Sequence, residues 1–190
     1  MADWSVMTWL SIVAIMVAAY LLGSIPSAVW IGKKYYGIDI REHGSKNAGT
    51  TNMLRVLGKR AAAPVFVIDF LKGYIAVLLT GLAPVTTEWE INLRLMATVA
   101  VVLGHIFPIF ANFRGGKGVA TLVGAVTAIY PQIIFLCFAV WVLVFLASHY
   151  VSLASMTAGC SFPLFVVIYS SSEWSRIGDI SFAFILFSFA

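Results

Sequence analysis

Charge is scarce in this chain. Asp, Glu, Lys and Arg make up 11% of its 190 residues, against 61% hydrophobic, and only eight of them are acidic. With a mean hydropathy of +0.97, such a composition excludes an ordinary soluble domain and implies apolar runs long enough to span a bilayer. Cysteine is nearly absent too. Cys137 and Cys160 both lie in apolar runs without metal-ligand spacing, so they read as small core residues, and redox chemistry is unsupported. The first twenty residues carry Asp3 but no Lys or Arg. They lack the basic front of a cleaved signal peptide and should remain as a membrane helix. The net charge of +4 gathers beside the apolar runs rather than in an aromatic-laced soluble patch. That pattern fits topology and anionic lipid headgroups, not nucleic acid. Neither internal repeats nor low-complexity tracts stand out, and the length suits one domain.

What is present is a series of apolar segments. Trp4 to Ile31 is the first, with Trp4, Trp9 and Trp30 near its ends, and Gly23-Ser24-Ile25-Pro26-Ser27 interrupts it near the charged end. Ala61–Ala83, Leu93–Phe110, Gly118–Tyr130, Ile133–Ala147, Met156–Tyr169 and Ile180–Ala190 follow. The fold expected is an all-α integral membrane protein of about seven transmembrane helices, some short or broken. The basic loops 33–60 and 112–117 and the polar stretch 148–155 alternate with the acidic loops Pro84–Asn92 and Ser170–Asp179. The positive-inside rule then places the N-terminus outside and the three polar clusters together at the cytoplasmic face. Gly118–Tyr130 is too short to cross a core about 30 Å thick, so the preceding loop should sink below the membrane surface.

The least apolar stretch is Gly44-Ser45-Lys46-Asn47-Ala48-Gly49-Thr50-Thr51-Asn52. It sits in a segment, 33–60, that holds seven of the twelve basic residues against Asp39 and Glu42. Glycine and asparagine tolerate positive φ, and a turn of that kind can aim successive N–H groups into an anion-binding nest. Thr50–Leu57 should open a short helix at that nest, capped by Asn47 or Thr50, with Arg55 one turn on. A solvated loop that only sets topology has the same composition. Asp69 and Lys72, three residues apart inside a span, share a helix face and could pair, for function or for packing. Ser24 or Ser27 could line a polar cavity beside the proline break, which could equally be a plain kink. His105, near the cytoplasmic end of its span, is either a hydrogen-bonded packing residue or a proton handler.

Arg114-Gly115-Gly116-Lys117-Gly118 is not a nucleotide-binding P-loop: position 111 is Ala and position 118 is Gly. What remains is a lysine between glycines near a helix start, suited to holding a phosphate as a point charge. No metal ligand set and no Gly-x-Ser-x-Gly elbow is present. Residues five past His43, His105 and His149 are Ala48, Phe110 and Ala154, so the His-x4-Asp signature of thioester-dependent acyltransferases is missing.

These pieces in order, with Leu103-Gly104-His105, Val119-Ala120-Thr121 and Ser152-Leu153-Ala154-Ser155, closely resemble the acyl-phosphate-dependent glycerol-3-phosphate acyltransferases of bacteria, the PlsY family. The likeness runs from Leu22 to Ser155. It implies a multi-pass inner-membrane enzyme, active on the cytoplasmic side, that moves an acyl chain from acyl phosphate to the 1-position of sn-glycerol 3-phosphate in phospholipid synthesis. It implies no cofactor and no metal; its partners would be the two substrates, membrane lipid and, through functional coupling, the acyl-phosphate-forming enzyme.

By position in the motifs, Gly44, Ser45, Asn47, Gly49, Thr51 and Asn52 would bind the acyl phosphate. Arg55, Lys117 and Ser152 would bind glycerol 3-phosphate. Ser24, His105 and Lys117 are the candidate catalytic residues, supported by Asp69, Lys72, Gly115, Gly116 and Gly118. Lys46, Ala48 and Thr50 stand where the family usually has glycine, proline and alanine. Family members usually continue into a basic tail with His and Asn, whereas this sequence stops at Phe187-Ser188-Phe189-Ala190; it is expected either to be truncated or to lack one contributor to the site. A transporter of phosphorylated metabolites is the competing reading, built from similar broken helices and basic pockets. It predicts an inverted repeat and polar residues continuing to the outer side, and the sequence offers neither.

Overall fold

The computed structural model describes residues 5–171, and every described element is helical. Trp4, most of the Ser170–Asp179 loop and the Ile180–Ala190 segment fall outside those residues. The helices are α1 (Val6–Gly23), α2 (Ser27–Tyr36), α3 (Thr50–Leu57), α4 (Lys59–Leu78), α5 (Thr87–Ile106), α6 (Val119–Ile129), α7 (Pro131–Ser148) and α8 (Val151–Ser171). By length and composition, four stretches among the described residues can cross a membrane: Val6–Tyr36, Lys59–Leu82, Thr87–Ala111 and Pro131–Ser148. Two further apolar helices, Val119–Ile129 and Leu153–Tyr169, are shorter. Six of the seven expected segments are thus helices among the described residues.

Helices α1 to α6 form one compact unit, and α7 with α8 a second. In the first unit, α1 shows why composition rather than amphipathicity marks these helices. Ile12, Ile15, Ala19 and Gly23 are buried, while Val6, Leu10, Val13, Val17 and Leu21 on the other side are exposed and equally apolar. A helix apolar all round needs lipid on the face that protein leaves bare. The helices meet through small residues, as membrane packing favours. A Cβ on Gly104 of α5 would overlap the Tyr20 carbonyl of α1, and one on Gly124 of α6 would overlap the Phe70 carbonyl of α4. Beneath the loop that leads into α3 lies a small core of Val29, Ile40, Met53 and Val65.

Proline breaks α1 from α2, and the break is stitched by charge. Pro26 has no N–H to donate, and the Lys72 ammonium donates to the carbonyl of Ile25 at 3.0 Å. Helix α5 begins at Thr87, six residues ahead of the expected Leu93. Glu88 and Glu90 occupy its first turn, where the helix dipole favours acids, and Arg94 pairs with Glu90 one turn on. In the second unit, α7 ends at His149 in the left-handed region, φ 58°, and α8 already starts at Val151, so the expected polar turn 149–155 is mostly helix. Trp141 stacks on Phe145 and donates to the Ser155 hydroxyl at 3.2 Å. Cys137 is buried as expected but Cys160 is exposed, its helix face being bare there.

Candidate active site

The loop before α3 is built around one side chain. Asn52, at the third position of α3 and 1% exposed, accepts the Ser45 N–H at 2.9 Å through Oδ1. Its amide donates to the carbonyls of His43 at 2.9 Å, Ile40 at 3.1 Å and Asn47 at 3.1 Å. Gly44 and Lys46 turn the chain with φ of 58° and 59°. A left-handed lysine is strained by roughly 1–2 kcal/mol, so the turn stays only because Asn52 and the Lys46 N–H to His43 carbonyl bond hold it.

The cap of α3 is Gly49, with no side-chain capping bond, so neither Asn47 nor Thr50 caps the helix. The Gly49 carbonyl accepts from both Asn52 and Met53. The N–H groups of Thr50 and Thr51 are left at the open end of the helix dipole, a site that favours an anion. Thr50 Oγ1 is buried without a hydrogen-bond partner among the described residues.

The second loop is held by backbone. The Gly115 N–H donates to the Ile106 carbonyl at 3.2 Å and the Gly116 N–H to the His105 carbonyl at 3.1 Å, folding the chain back over the end of α5. Gly116 lies so close that a Cβ there would overlap His105 Nε2 and press on the Ala48 carbonyl of the first loop. Gly118, φ 77°, then turns the chain into α6.

Under this loop sits a buried polar network. His105 Nδ1 lies 3.1 Å from Thr121 Oγ1 and 3.6 Å from Asp69 Oδ1. The same Oδ1 accepts from Ser27 Oγ at 2.7 Å and pairs with Lys72 at 2.9 Å. Asp69 and Lys72 are almost wholly buried, a pair whose separation would typically destabilise by about 3–5 kcal/mol. Nδ1 is engaged by Thr121 and faced by a carboxylate, and Nε2 lies against Gly116 of the second loop.

Both loops and this network wall one cavity of about 340 Å³. Ser45, Asn47, Gly49, Thr51, Asn52, Arg55, Asp69, His105, Lys117 and Gly118 line it, ten of the residues singled out in the sequence. Arg55 and Lys117 are exposed and in no ion pair among the described residues, which leaves both charges for an anion. Gly44, Lys72, Gly115 and Gly116 stand behind the lining.

Ser24 does not reach the cavity: it is fully buried and its hydroxyl donates to the Tyr20 carbonyl at 2.9 Å, while Ser27 supplies the contact to Asp69. Ser152 lies on α8 in the second unit, and its side chain is outside the described residues. Thr50, expected as a cap in the donor loop, lines the cavity, and the sequence reading gave no individual role to Thr121 or to the apolar wall of Phe66, Val119 and Val123. Phe66 was legible in principle, three residues before Asp69 on the same face of α4.

A family model described as glycerol-3-phosphate acyltransferase matches residues 13–190. A protein of that name from Salinibacter ruber is 43% identical over 169 residues, covering 83% of this chain and 74% of its own. Another from Clostridioides difficile is 46% identical over 160 residues, covering 83% and 78%. A crystal structure of PlsY, an integral membrane glycerol 3-phosphate acyltransferase, in its glycerol 3-phosphate form superposes with a TM-score of 0.75 at 39% identity, over 94% of this chain and 84% of that one. The lysophosphatidic acid form gives 0.71 at 38% identity, over 94% and 87%. The chain therefore belongs to the glycerol-3-phosphate acyltransferase family.

Proposed function

We propose that this chain acylates the 1-hydroxyl of sn-glycerol 3-phosphate with an acyl phosphate, at the cytoplasmic face of a bacterial inner membrane. The observation that carries the reading is a cavity in an otherwise apolar helical unit that joins two unpaired cations, Arg55 and Lys117, an open helix N-terminus and His105. Two phosphate-bearing substrates need such groups, and one of them also needs an apolar exit. Phe66, Val119 and Val123 supply it: they line the cavity and are exposed, so an acyl tail can leave along them toward lipid.

The donor's phosphate rests on Ser45, Asn47, Gly49 and the start of α3 with Thr51; the acceptor's phosphate rests on Arg55 and Lys117. The acceptor hydroxyl attacks the acyl carbonyl, the carbonyl carbon then releases the phosphate oxygen, and the hydroxyl proton ends on the departing phosphate. Either a donor phosphate oxygen takes that proton directly or His105 relays it. Acyl phosphate is an activated mixed anhydride, so positioning and charge stabilisation carry most of the catalysis. The missing His-x4-Asp pattern supports an acyl phosphate donor over a thioester. Coupling to the enzyme that forms acyl phosphate follows from the need for a labile, membrane-bound donor.

The test supplies purified protein with palmitoyl phosphate and glycerol 3-phosphate and follows inorganic phosphate. Release that needs both substrates, yields lysophosphatidate and stops when a coenzyme A thioester replaces the donor is the expected result. Glycerol 3-phosphate crossing proteoliposomes without acylation would favour the transporter. Within the reaction, Lys117→Ala should raise KM for glycerol 3-phosphate by roughly thirtyfold, the loss of about 2 kcal/mol for a charge-assisted contact. A selective rise in KM for the donor would reverse the assignment of the two phosphates.

A further inference from the structure

Asp39 and Arg41 lie just upstream of the first loop, around the 3-10 turn Ile40–Glu42, and neither lines the cavity. Both side chains are nearly buried. Arg41 Nε and Nη2 donate to Asp39 Oδ1 and Oδ2 at 2.9 and 2.7 Å, a two-pronged pair, and Asp39 Oδ1 also accepts the Arg41 N–H at 3.1 Å. Arg41 Nη1 points elsewhere. It donates to the carbonyl of Ala111 at 2.9 Å, seventy residues along the chain.

What it grips there is a strained turn: the Ala111 and Phe113 N–H groups donate to the Pro108 carbonyl at 3.1 and 2.9 Å, and the Ala111 carbonyl also accepts the Arg114 N–H at 3.2 Å. Asn112 and Phe113, directly after Ala111, are consecutive non-glycine residues in the left-handed region, φ 54° and 57°. Such a pair relaxes unless its surroundings fix it. The Tyr20 hydroxyl pins the upstream end through the Phe107 carbonyl at 2.9 Å, and Arg41 pins the downstream end. Only residues 112–116 separate that grip from Lys117.

We propose that Arg41, aimed by Asp39, is a positioning residue that locks the glycine-lysine loop to the base of the first loop and so sets the distance between the two substrates. The inference rests on the reading above, in which one loop holds the donor and the other the acceptor. Arginine suits the role because its planar fork engages both carboxylate oxygens while a third nitrogen reaches the carbonyl. A lysine at 41 has one nitrogen for the whole set.

The test compares Arg41→Ala, Arg41→Lys, Asp39→Ala and the double alanine variant of the full chain, with kinetics in both substrates and melting curves. Arg41→Ala is expected to raise KM for glycerol 3-phosphate about tenfold and lower kcat about tenfold, because a displacement of about 1 Å misaligns the reacting groups. KM for the donor should stay within about threefold, since Asn52 holds the first loop independently. Arg41→Lys should recover only part of the loss, and the double variant should be no worse than Arg41→Ala, the mark of two residues acting as one unit.

A lower melting temperature with kcat and both KM values unchanged would overturn the proposal, as would a rise in donor KM alone. Should Arg41→Ala fail to fold, Asp39→Ala leaves the Ala111 bond chemically possible and carries the same kinetic test. Should the wild type release no phosphate, it is the function that fails, and the clamp is then read from hydrogen exchange. Faster exchange of the Gly115 and Gly116 amides in Arg41→Ala sustains it, and unchanged exchange overturns it.

Discussion

The two loops at the cavity are held by opposite means. Residues 44–52 wrap around a side chain, Asn52, that replaces backbone partners with its own amide. Residues 112–118 are pinned by backbone bonds at Gly115 and Gly116, and they fit because side chains are missing there. A loop built on a side chain tolerates change along its length but fails when its centre is removed. A loop built on close backbone approach fails when almost anything is added. The difference has a geometric origin: the first loop closes over its own helix start, whereas the second must pass close against Nε2 of His105.

The contrast breaks most sharply at Gly116. Gly116→Ala puts a methyl group into His105 Nε2 and against the Ala48 carbonyl, so the ring or the loop must move. We expect turnover to fall about a hundredfold, with the melting temperature lowered far less in proportion. Steady-state kinetics beside a melting curve checks it; near-normal turnover would mean that His105 has room the geometry denies.

Asn52→Ala acts the other way round. It leaves the Ser45 N–H without its partner and takes one bond from each of three carbonyls, and stability should drop by roughly 3 kcal/mol while turnover of the protein that remains folded falls about tenfold. The melting loss should exceed the catalytic loss, the reverse of Gly116→Ala.

How much of this the sequence disclosed follows from which forces are local. Hydropathy located six described apolar segments, and α3 ran from Thr50 to Leu57 as expected, because apolar length and turn chemistry are properties of neighbouring residues. The Asp69 and Lys72 pair was legible from its spacing of three. Ser24 was misplaced because its hydroxyl had a nearer acceptor, the Tyr20 carbonyl one turn back, a competition that sequence does not rank. The helix cap went to Gly49, whose carbonyl takes the first two helical N–H bonds while no side chain caps the helix. Thr121 beside His105 and Arg41 on Ala111 depend on contacts across 16 and 70 residues. No local pattern announces those.

The Asp39 clamp adds a pH term to the comparison. Its carboxyl is held well below the usual carboxylate range, chiefly by the hydrogen bond from the Arg41 guanidinium and against the opposing effect of burial. A carboxyl lowered on folding contributes stability that is complete above its unfolded value, about 3.9, and fades as pH falls through the folded value. The gap in melting temperature between wild type and Asp39→Asn should therefore be constant from pH 8 to about 5 and narrow below about 4. A gap that closes between pH 7 and 5 would mean Asp39 is not held by the guanidinium.

The smallest effect sharpens the comparison from inside the first loop. Lys46 is exposed, lines no cavity and sits at φ 59°, where a side chain strains the backbone and glycine does not. Lys46→Gly removes that strain and also loosens the unfolded chain, so the two effects partly offset. A net gain of about 0.5–1 kcal/mol is expected, with turnover within about twofold of wild type. A loop held by Asn52 accepts such a change because the anchor lies elsewhere. If Lys46→Gly instead lowered turnover about tenfold, its ammonium would have to be drawing the anionic substrates in, and the first loop would then act through the side chains along it as much as through the one at its centre.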